Sequence, residues 1–272
     1  MKVAMSGASG FVANALKQRF SDFVIIERGD DVDAIRQKLV GVQAVFNLAG
    51  APIVAKWNEA YKKVLYTSRI ETTKKLVEAM NQSDVEHFIS TSAVGIYPNN
   101  VPSDEHTLQL GDDFLGHLAR DWEAEALKCT KLTTILRFGV VLGRDGGALE
   151  KMLPAFKLGV GGIIGDGKMV TSWIDLDDLV AIYTFVLEHK YGGIFNATSP
   201  HPLSNYHFTK ILGNVLHRPT FLPVPSFVIK LLFGEGSSVL LDSKEVYPKA
   251  LLEKGFVFAY GDLQKSLTKI LN

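Results

Sequence analysis

The chain has 272 residues, of which 47% are hydrophobic and 21% charged, the composition of an ordinary globular protein. Its 29 basic and 29 acidic residues balance, so no net field favours nucleic acid or an anionic membrane. The single Cys129 excludes an intrachain disulfide framework and a thiolate zinc cluster, and the histidines show no metal-ligand spacing. Neither a signal peptide nor a membrane-spanning stretch is evident. We therefore expect a cytoplasmic protein with no metal, no nucleic-acid partner and no membrane partner.

The first thirteen residues predict a strand, a tight turn and a helix. Lys2 to Met5 reads as a short buried strand, Ser6 to Gly10 is a run of small residues, and an amphipathic pattern begins at Phe11. Gly7 and Gly10 lack a Cβ, so the backbone can turn sharply and approach an anion closely. The free N–H groups at the start of the helix would then meet a pyrophosphate. A turn that only joins strand to helix has the same spacing, so the motif alone is weak.

A second strand, Phe23 to Glu27, follows at the distance that a βαβ unit requires, and it ends in Glu27-Arg28. An acidic residue about 20 positions after the glycine turn typically binds a ribose 2′-hydroxyl, while an arginine suits a 2′-phosphate. This chain has both side by side. The pattern therefore predicts a dinucleotide site and leaves NAD and NADP open, with NADP preferred because Arg28 can form charge-assisted hydrogen bonds.

Strands and helices continue to alternate, which predicts a parallel sheet with right-handed crossovers. The strands end in small or polar residues at the edge where a doubly wound sheet binds its ligand. The further predicted strands are 43–47, 87–90, 133–138 and 194–197, with 170–176 also returning to the sheet. The predicted helices between them are 29–39, 58–80, 112–128, 149–158 and 177–188.

The glycine density from residue 144 onwards indicates loops that either fold over a ligand or merely connect elements. The last part, from about residue 204, reads as mostly helical with turns at its prolines. We predict an α/β, doubly wound parallel-sheet Rossmann domain over residues 1–200 with a glycine-rich, substrate-side insertion near 144–168. Residues 201–272 are predicted to form a small, mostly helical C-terminal domain on the substrate side.

Taken together, these motifs resemble an extended short-chain dehydrogenase/reductase of the NAD(P)-dependent epimerase/dehydratase group. The match is to an atypical branch, the "epimerase family" or sugar-nucleotide-epimerase-like proteins, and it covers nearly the whole chain. Its landmarks are Ser6–Val12, Asn47–Pro52, Ser68–Ile70, Ser92–Gly95 with Tyr97, Asp121–Glu123, Gly139–Ala148, Lys151–Pro154, Ser172–Ile174, Asp177–Leu179, Leu222–Pro225 and Gly255–Phe258.

The resemblance implies a nicotinamide cofactor and a substrate held between the sheet edge and the C-terminal domain. The superfamily uses a tyrosine to remove a proton and a lysine four residues later to lower that tyrosine's pKa. Aligning on Glu123 puts Leu115 and Ala119 in those two positions, and neither can move a proton. The serine of the superfamily has its counterpart in Ser92.

The resulting site prediction has two parts. Ser92 is expected to orient a substrate hydroxyl, and Tyr97 either acts as the proton acceptor or is a hydrogen-bonded wall residue. The residues expected to bind the cofactor are Gly7, Ser9, Gly10, Phe11, Val12, Glu27, Arg28, Leu48, Ala49, Gly50, Thr91 and Arg137.

Three functions remain open from the sequence. The first is an oxidoreductase or epimerase that acts on a nucleotide sugar or another small hydroxylated or carbonyl compound, with a non-standard acid or base. The second is a dinucleotide-binding sensor or regulator without turnover, and the third is an assembly factor that kept only the fold. We expect a monomer or homodimer whose partner is a small-molecule substrate.

Overall fold

The computed structural model describes all 272 residues. Ten strands form, in order β1 Val3–Ser6, β2 Phe23–Ile26, β3 Ala44–Asn47, β4 His87–Ala93, β5 Leu132–Phe138, β6 Val140–Gly143, β7 Val170–Thr171, β8 Trp173–Asp175, β9 Gly193–Ala197 and β10 Leu203–Ser204. Eleven α-helices form, in order α1 Phe11–Arg19, α2 Val32–Lys38, α3 Glu59–Asn81, α4 Phe114–Ala126, α5 Gly147–Lys157, α6 Leu176–Glu188, α7 Asn205–Val215, α8 Ser226–Phe233, α9 Ser238–Leu241, α10 Lys249–Glu253 and α11 Leu263–Leu271.

The centre of the protein is a six-stranded sheet in the order β2-β1-β3-β4-β5-β9, and every neighbouring pair is parallel. Helices cover both faces, with α1 against α6 on one face and α2, α3 and α4 along the other. Since both faces are covered, β1 and β3 are buried along their whole length. Successive residues alternate between the two cores, so Val3 and Met5 belong to one cluster and Ala4 to the other. This arrangement confirms the predicted doubly wound Rossmann sheet.

The strand order reverses between β1 and β3, because the chain moves from β1 outwards to β2 and then returns past β1 to β3. The loops after β1 and β3 therefore leave the sheet in opposite directions and open a crevice at its carboxyl edge. In open α/β sheets ligands bind at this switch point. The glycine turn predicted from the sequence lies directly after β1.

One predicted sheet segment is wrong. Residues 170–176 do not return to the main sheet but form two separate pairings, β7 with β10 and β8 with β6. The reason is that the side chain of Trp173 packs with helices from the last part of the chain. This third core cluster consists of Leu142, Leu149, Phe156, Trp173, Phe208, Leu212, Leu263, Leu267 and Ile270.

The C-terminal region is helical apart from β10, as predicted. Its helices α7 and α11 share that third cluster with α5, which follows the glycine-rich turn at residues 143–147. The boundary drawn at residue 200 stays a prediction. No helix is both long enough and apolar enough to cross a membrane.

A buried histidine on β4 makes the stability of the fold dependent on pH. His87 is 3% exposed, its Nε2 lies 2.7 Å from Thr134 Oγ1, and its Nδ1 is buried without a partner. Burial lowers the pKa of His87 to about 4. Between its unfolded pKa, near 6.5, and this folded value, the unfolded chain binds a proton that the folded chain does not.

We predict that the contribution of neutral His87 to the free energy of unfolding is fully retained above about pH 6.5. It should be lost as the pH falls to about 4, and the total loss should be on the order of 3 kcal/mol. Urea unfolding of wild type and His87→Phe at pH 7 and pH 4.5 measures this loss. The variant should lose less stability between the two pH values. His189→Gln, which removes an exposed histidine, is the control, and equal pH dependence in wild type and His87→Phe would contradict the assignment.

Candidate functional site

The turn between β1 and α1 has no room for a side chain at its first glycine. Gly7 has φ +66°, and a Cβ on it would lie 2.6 Å from the carbonyl oxygen of Leu48 and 2.9 Å from the nitrogen of Ala49. Real Cβ atoms do not approach backbone so closely, so glycine is required for both conformation and space. The turn closes with a hydrogen bond from Gly10 N–H to the carbonyl oxygen of Gly7, at 2.9 Å.

The first turn of α1 is left open. No side chain caps this helix and no acidic residue lies in its first turn, whereas Asn58 caps α3 by accepting from the Tyr61 N–H. The first N–H groups of α1 are therefore without intrahelical partners and carry the positive end of the helix dipole. Ser9 and Gly10 are exposed at this position, so a ligand can reach these N–H groups.

The ring of Phe11 is held by the glycine-rich turn after β6. A Cβ on Gly143 would lie 2.6 Å from the Phe11 ring, and Gly146 and Gly147 also pack against it. The sequence left two readings of these glycines, loops over a ligand or plain connection. Gly143, Gly146 and Gly147 have a third role, because they pack against Phe11, the first residue of α1. They thereby help to position the start of this helix and its uncapped N–H groups.

A buried polar network joins the carboxyl ends of β1 and β3 to the middle of β4. Ser6 Oγ donates to Asn47 Oδ1 at 2.8 Å, and the Asn47 amide donates to Thr73 at 2.8 Å and to Ser90 at 3.2 Å. Trp122 Nε1 also donates to Thr73, at 2.9 Å. Ser6 and Asn47 end β1 and β3, Ser90 lies in the middle of β4, and Thr73 and Trp122 belong to α3 and α4. The sequence reasoning missed this network, and the only local signal was the run of polar residues at strand ends.

A second buried network contains both predicted catalytic residues. Ser92 Oγ donates to Glu123 Oε1 at 2.6 Å, and Glu123 binds Arg137 through two hydrogen bonds of 2.8 and 2.7 Å. Arg137 donates to the Tyr97 hydroxyl at 2.7 Å, and that hydroxyl donates to Asn196 at 2.9 Å. The five side chains form one chain from β4 across α4 and β5 to β9.

This geometry goes against Tyr97 as a proton acceptor. Tyr97 is 0% exposed and both sides of its hydroxyl are engaged, which is the wall-residue reading. Burial raises the pKa of Tyr97 despite the nearby Arg137 guanidinium. The nearby Arg120, on α4, is hydrogen-bonded to His117 and not to Tyr97.

Arg137 was predicted to bind the cofactor, but its side chain lies in the interior of the protein. It is 5% exposed, and although burial would lower its pKa, the Glu123 carboxylate raises it. Its guanidinium is occupied by Glu123 and Tyr97, so it stabilises the interior. Ser92 is likewise 1% exposed.

The other predicted residues lie around the crevice. Leu48, Ala49 and Gly50 directly follow β3, where they face the glycine turn. Val12 and Thr91 are partly buried, with Thr91 Oγ1 3.4 Å from the hydroxyl of Tyr183. Glu27 and Arg28 are both exposed beyond β2.

The sequence reasoning missed one charged side chain in this region. Arg69, on α3, lies against Gly50, where a Cβ would be 3.0 Å from its Cζ. Its only sequence signal was its place in the Ser68–Ile70 landmark.

A doubly wound parallel sheet with a glycine turn at its switch point defines a Rossmann-fold protein. The sequence profile of the NAD dependent epimerase/dehydratase family matches residues 3–198, and a domain of unknown function (DUF1731) matches residues 224–270. The chain therefore belongs to the NAD dependent epimerase/dehydratase family, which confirms the resemblance found in the sequence.

Relatives match over the full length. The chain is 35% identical to the chloroplastic epimerase family protein SDR39U1 homolog of Arabidopsis thaliana, covering all of this chain and 87% of the relative. It is 32% identical to mouse epimerase family protein SDR39U1 over all of both chains. The crystal structure of human SDR39U1 (isoform 2) with NADPH superimposes with a TM-score of 0.91, 32% identity and 99% coverage of both chains.

We predict that the Glu123–Arg137 pair is important for stability because both side chains are buried. Removing one partner leaves a buried, unpaired charge, so Glu123→Ala should lower the free energy of unfolding by about 3–5 kcal/mol. The matched control is Glu86→Ala, which breaks an exposed pair with Lys190 and should cost at most about 1 kcal/mol. Chemical denaturation measures both, and similar small losses would show that the buried pair is not a main support of the fold.

Proposed function

We propose that the protein binds a nicotinamide dinucleotide, with the diphosphate over the turn from Gly7 to Gly10. The observation that carries this proposal is the tight turn at Gly7, which only glycine can form against the backbone of Leu48 and Ala49. This turn lies directly before the uncapped N–H groups of α1. Leu48, Ala49 and Gly50 would line the crevice below the ligand, and Ser9, Phe11 and Val12 would contact it from the helix side. The human relative was solved with NADPH, which supports a nicotinamide dinucleotide as the ligand here.

We predict that Gly10→Asp abolishes binding of NADPH and leaves the fold intact. Gly10 is exposed and has a negative φ, and a Cβ there would lie 3.1 Å from the Gly7 carbonyl oxygen. The new side chain therefore needs only a small shift of the turn, but it places a carboxylate at the proposed position of the phosphates. Calorimetric titration with NADPH measures the affinity, and circular dichroism checks the fold. Asn14→Asp adds the same charge further along α1 at an exposed position and should keep most of the affinity. Unchanged affinity in Gly10→Asp would place the site elsewhere.

The charges beyond β2 favour NADP over NAD. Asp30 lies two residues after Arg28, but its carboxylate is occupied by the Glu27 N–H at 2.8 Å and by Lys38 at 2.6 Å. Burial alone would raise the pKa of Asp30, yet these hydrogen bonds hold it below its ordinary value. Lys75 reaches the same turn through the Asp30 carbonyl. Lys38 is neutralised by Asp30, which leaves Arg28 and Lys75 as the cations that suit a 2′-phosphate, while Glu27 is exposed to solvent.

Replacing Arg28 by Ala should therefore weaken the binding of NADPH by about tenfold or more, because a charge-assisted hydrogen bond to the 2′-phosphate is lost. The binding of NADH should weaken much less. Parallel titrations with the two cofactors give the ratio. Arg36→Ala removes an exposed arginine that is already paired with Asp33 and serves as the control. If Arg28→Ala weakens both cofactors equally, Arg28 does not read the 2′ position.

We further propose an oxidoreductase or epimerase activity on a small hydroxylated or carbonyl compound, with a nucleotide sugar as the leading candidate. When bound, the nicotinamide supplies hydride transfer at the carbon that bears the oxygen. Thr91, at the end of β4, is the hydroxyl side chain there that is not fully buried, while Ser92 would have to release Glu123 to orient a substrate. Leu115 packs against Gly95 beside this strand end, so the wall at the predicted tyrosine position is apolar.

A second candidate, a dinucleotide sensor without turnover, is favoured by the engaged hydroxyls of Ser92 and Tyr97. The two candidates differ in one measurement. Nicotinamide absorbance is followed while purified protein and cofactor are mixed with nucleotide sugars, aldehydes and quinones. A steady absorbance change that Gly10→Asp abolishes supports the enzyme, whereas tight NADPH binding without any change supports the sensor.

A further inference from the structure

Arg69 is a cation without a counter-ion in the crevice wall. Its Nη2 donates to the Ala51 carbonyl at 3.0 Å and its Nη1 to the Leu65 carbonyl at 3.2 Å. Its Cζ lies 5.3 Å from the ring centre of Trp122. Burial lowers the pKa of Arg69 to about 10, and no carboxylate counteracts this effect. The buried Arg137 is neutralised by the Glu123 carboxylate, whereas Arg69 has no carboxylate partner.

The position of Arg69 is set by Gly50. A Cβ there would lie 3.0 Å from Cζ, 3.1 Å from Nη2 and 3.3 Å from Nε of Arg69, so the guanidinium lies flat against the glycine. Gly50 belongs to the segment after β3 whose Leu48 and Ala49 contact Gly7. The guanidinium is therefore next to the same backbone that lines the proposed cofactor crevice.

Two donors of Arg69 remain free. An arginine has five N–H donors in a rigid fork that matches phosphate and carboxylate oxygens. The Leu65 carbonyl and Ser68 Oγ accept from Nη1 and the Ala51 carbonyl accepts from Nη2, which leaves one N–H on Nη2 and the N–H on Nε without a partner. A half-buried cation that is not neutralised by a carboxylate is costly, and such groups concentrate at binding sites.

A second cation contacts the same loop. Lys151, on α5, has its Nζ 3.4 Å from the Val54 carbonyl and forms no ion pair. The loop that begins at Ala51 is therefore contacted by two cations without carboxylate partners, Arg69 at Ala51 and Lys151 at Val54.

We propose that Arg69, supported by Lys151, binds an oxyanion of a ligand in the crevice, a phosphate or carboxylate group. This inference rests on the proposed function, because the ligand occupies the same crevice. The oxyanion belongs either to the cofactor diphosphate or to the substrate, and both present the same planar or tetrahedral set of oxygens to the guanidinium fork.

The test uses Arg69→Gln, with Arg36→Gln as the matched control on an exposed, already paired arginine. Calorimetry first measures NADPH and ADP-ribose binding, then inorganic phosphate binding to the NADPH-saturated protein. A loss of about 10- to 100-fold in NADPH and ADP-ribose affinity assigns Arg69 to the cofactor diphosphate. Unchanged NADPH affinity with loss of phosphate binding assigns it to the substrate.

Two outcomes separate this proposal from the proposed function. If Arg69→Gln binds NADPH and phosphate as tightly as wild type, Arg69 only clamps the loop and the proposal is overturned. If wild type does not bind NADPH, the proposed function fails, and phosphate titration of the free wild type and Arg69→Gln then decides the Arg69 site alone.

A second variant covers the case in which Arg69→Gln does not fold. Gly50→Ala keeps the arginine but places a methyl group against its guanidinium, at a position without positive φ, so the side chain must move. The same affinities should fall by about tenfold. Wild-type affinities in a folded Gly50→Ala, together with an Arg69 Nε–H resonance that phosphate and NADPH do not shift, would overturn the proposal.

Discussion

The close approach of two backbone segments at the switch point constrains the whole candidate site. The turn after β1 and the segment after β3 are separated by less than the space of one methyl group at Gly7. This contact sets the depth of the crevice and the direction in which α1 begins. Phe11, the first residue of that helix, packs against the glycine-rich turn at residues 143–147. The glycine turn after β1 and the glycine-rich turn are therefore linked by direct contacts through Phe11.

Two buried polar networks keep the sheet edge rigid behind this contact. The first joins the strand ends through Asn47 and Thr73, and the second runs from Ser92 to Asn196 through the Glu123–Arg137 pair. Buried polar groups stabilise a structure only when nearly all of them are satisfied, which is the case in both networks. The consequence for function is that the two residues expected at the active site belong to the buried network, with the Ser92 hydroxyl bound to Glu123 and the Tyr97 hydroxyl bound to Arg137 and Asn196.

The free charges in this region therefore define its chemistry more than the hydroxyls do. Arg28 lies beyond β2, whereas Arg69 lies beside Gly50, and neither is neutralised by a carboxylate in the way that Glu123 neutralises Arg137. One cation after β2 and another beside the segment after β3 suit the proposed ligand, which carries more than one phosphate. This distribution agrees with membership of a family of NAD dependent epimerases and dehydratases.

Local patterns in the sequence determined the fold class, the alternation of strands and helices and the glycine turn, because these depend on apolar periodicity and on residues without a Cβ. The family could also be predicted from motifs quoted in order along the chain. Element ends were predicted within a few residues because side chains such as Asn58 and Asp113 cap their helices.

Only the tertiary structure decided the roles of the polar side chains. Tyr97 and Arg137 are 40 positions apart in the chain but hydrogen-bonded, and nothing local distinguishes a phenol aimed at a ligand from one held in the interior. The same holds for residues 170–176, whose strand pattern was read correctly but whose partner is set by the packing of Trp173 with distant helices. Arg69 was overlooked because the absence of a carboxylate partner is a property of three-dimensional neighbours, which the sequence does not show.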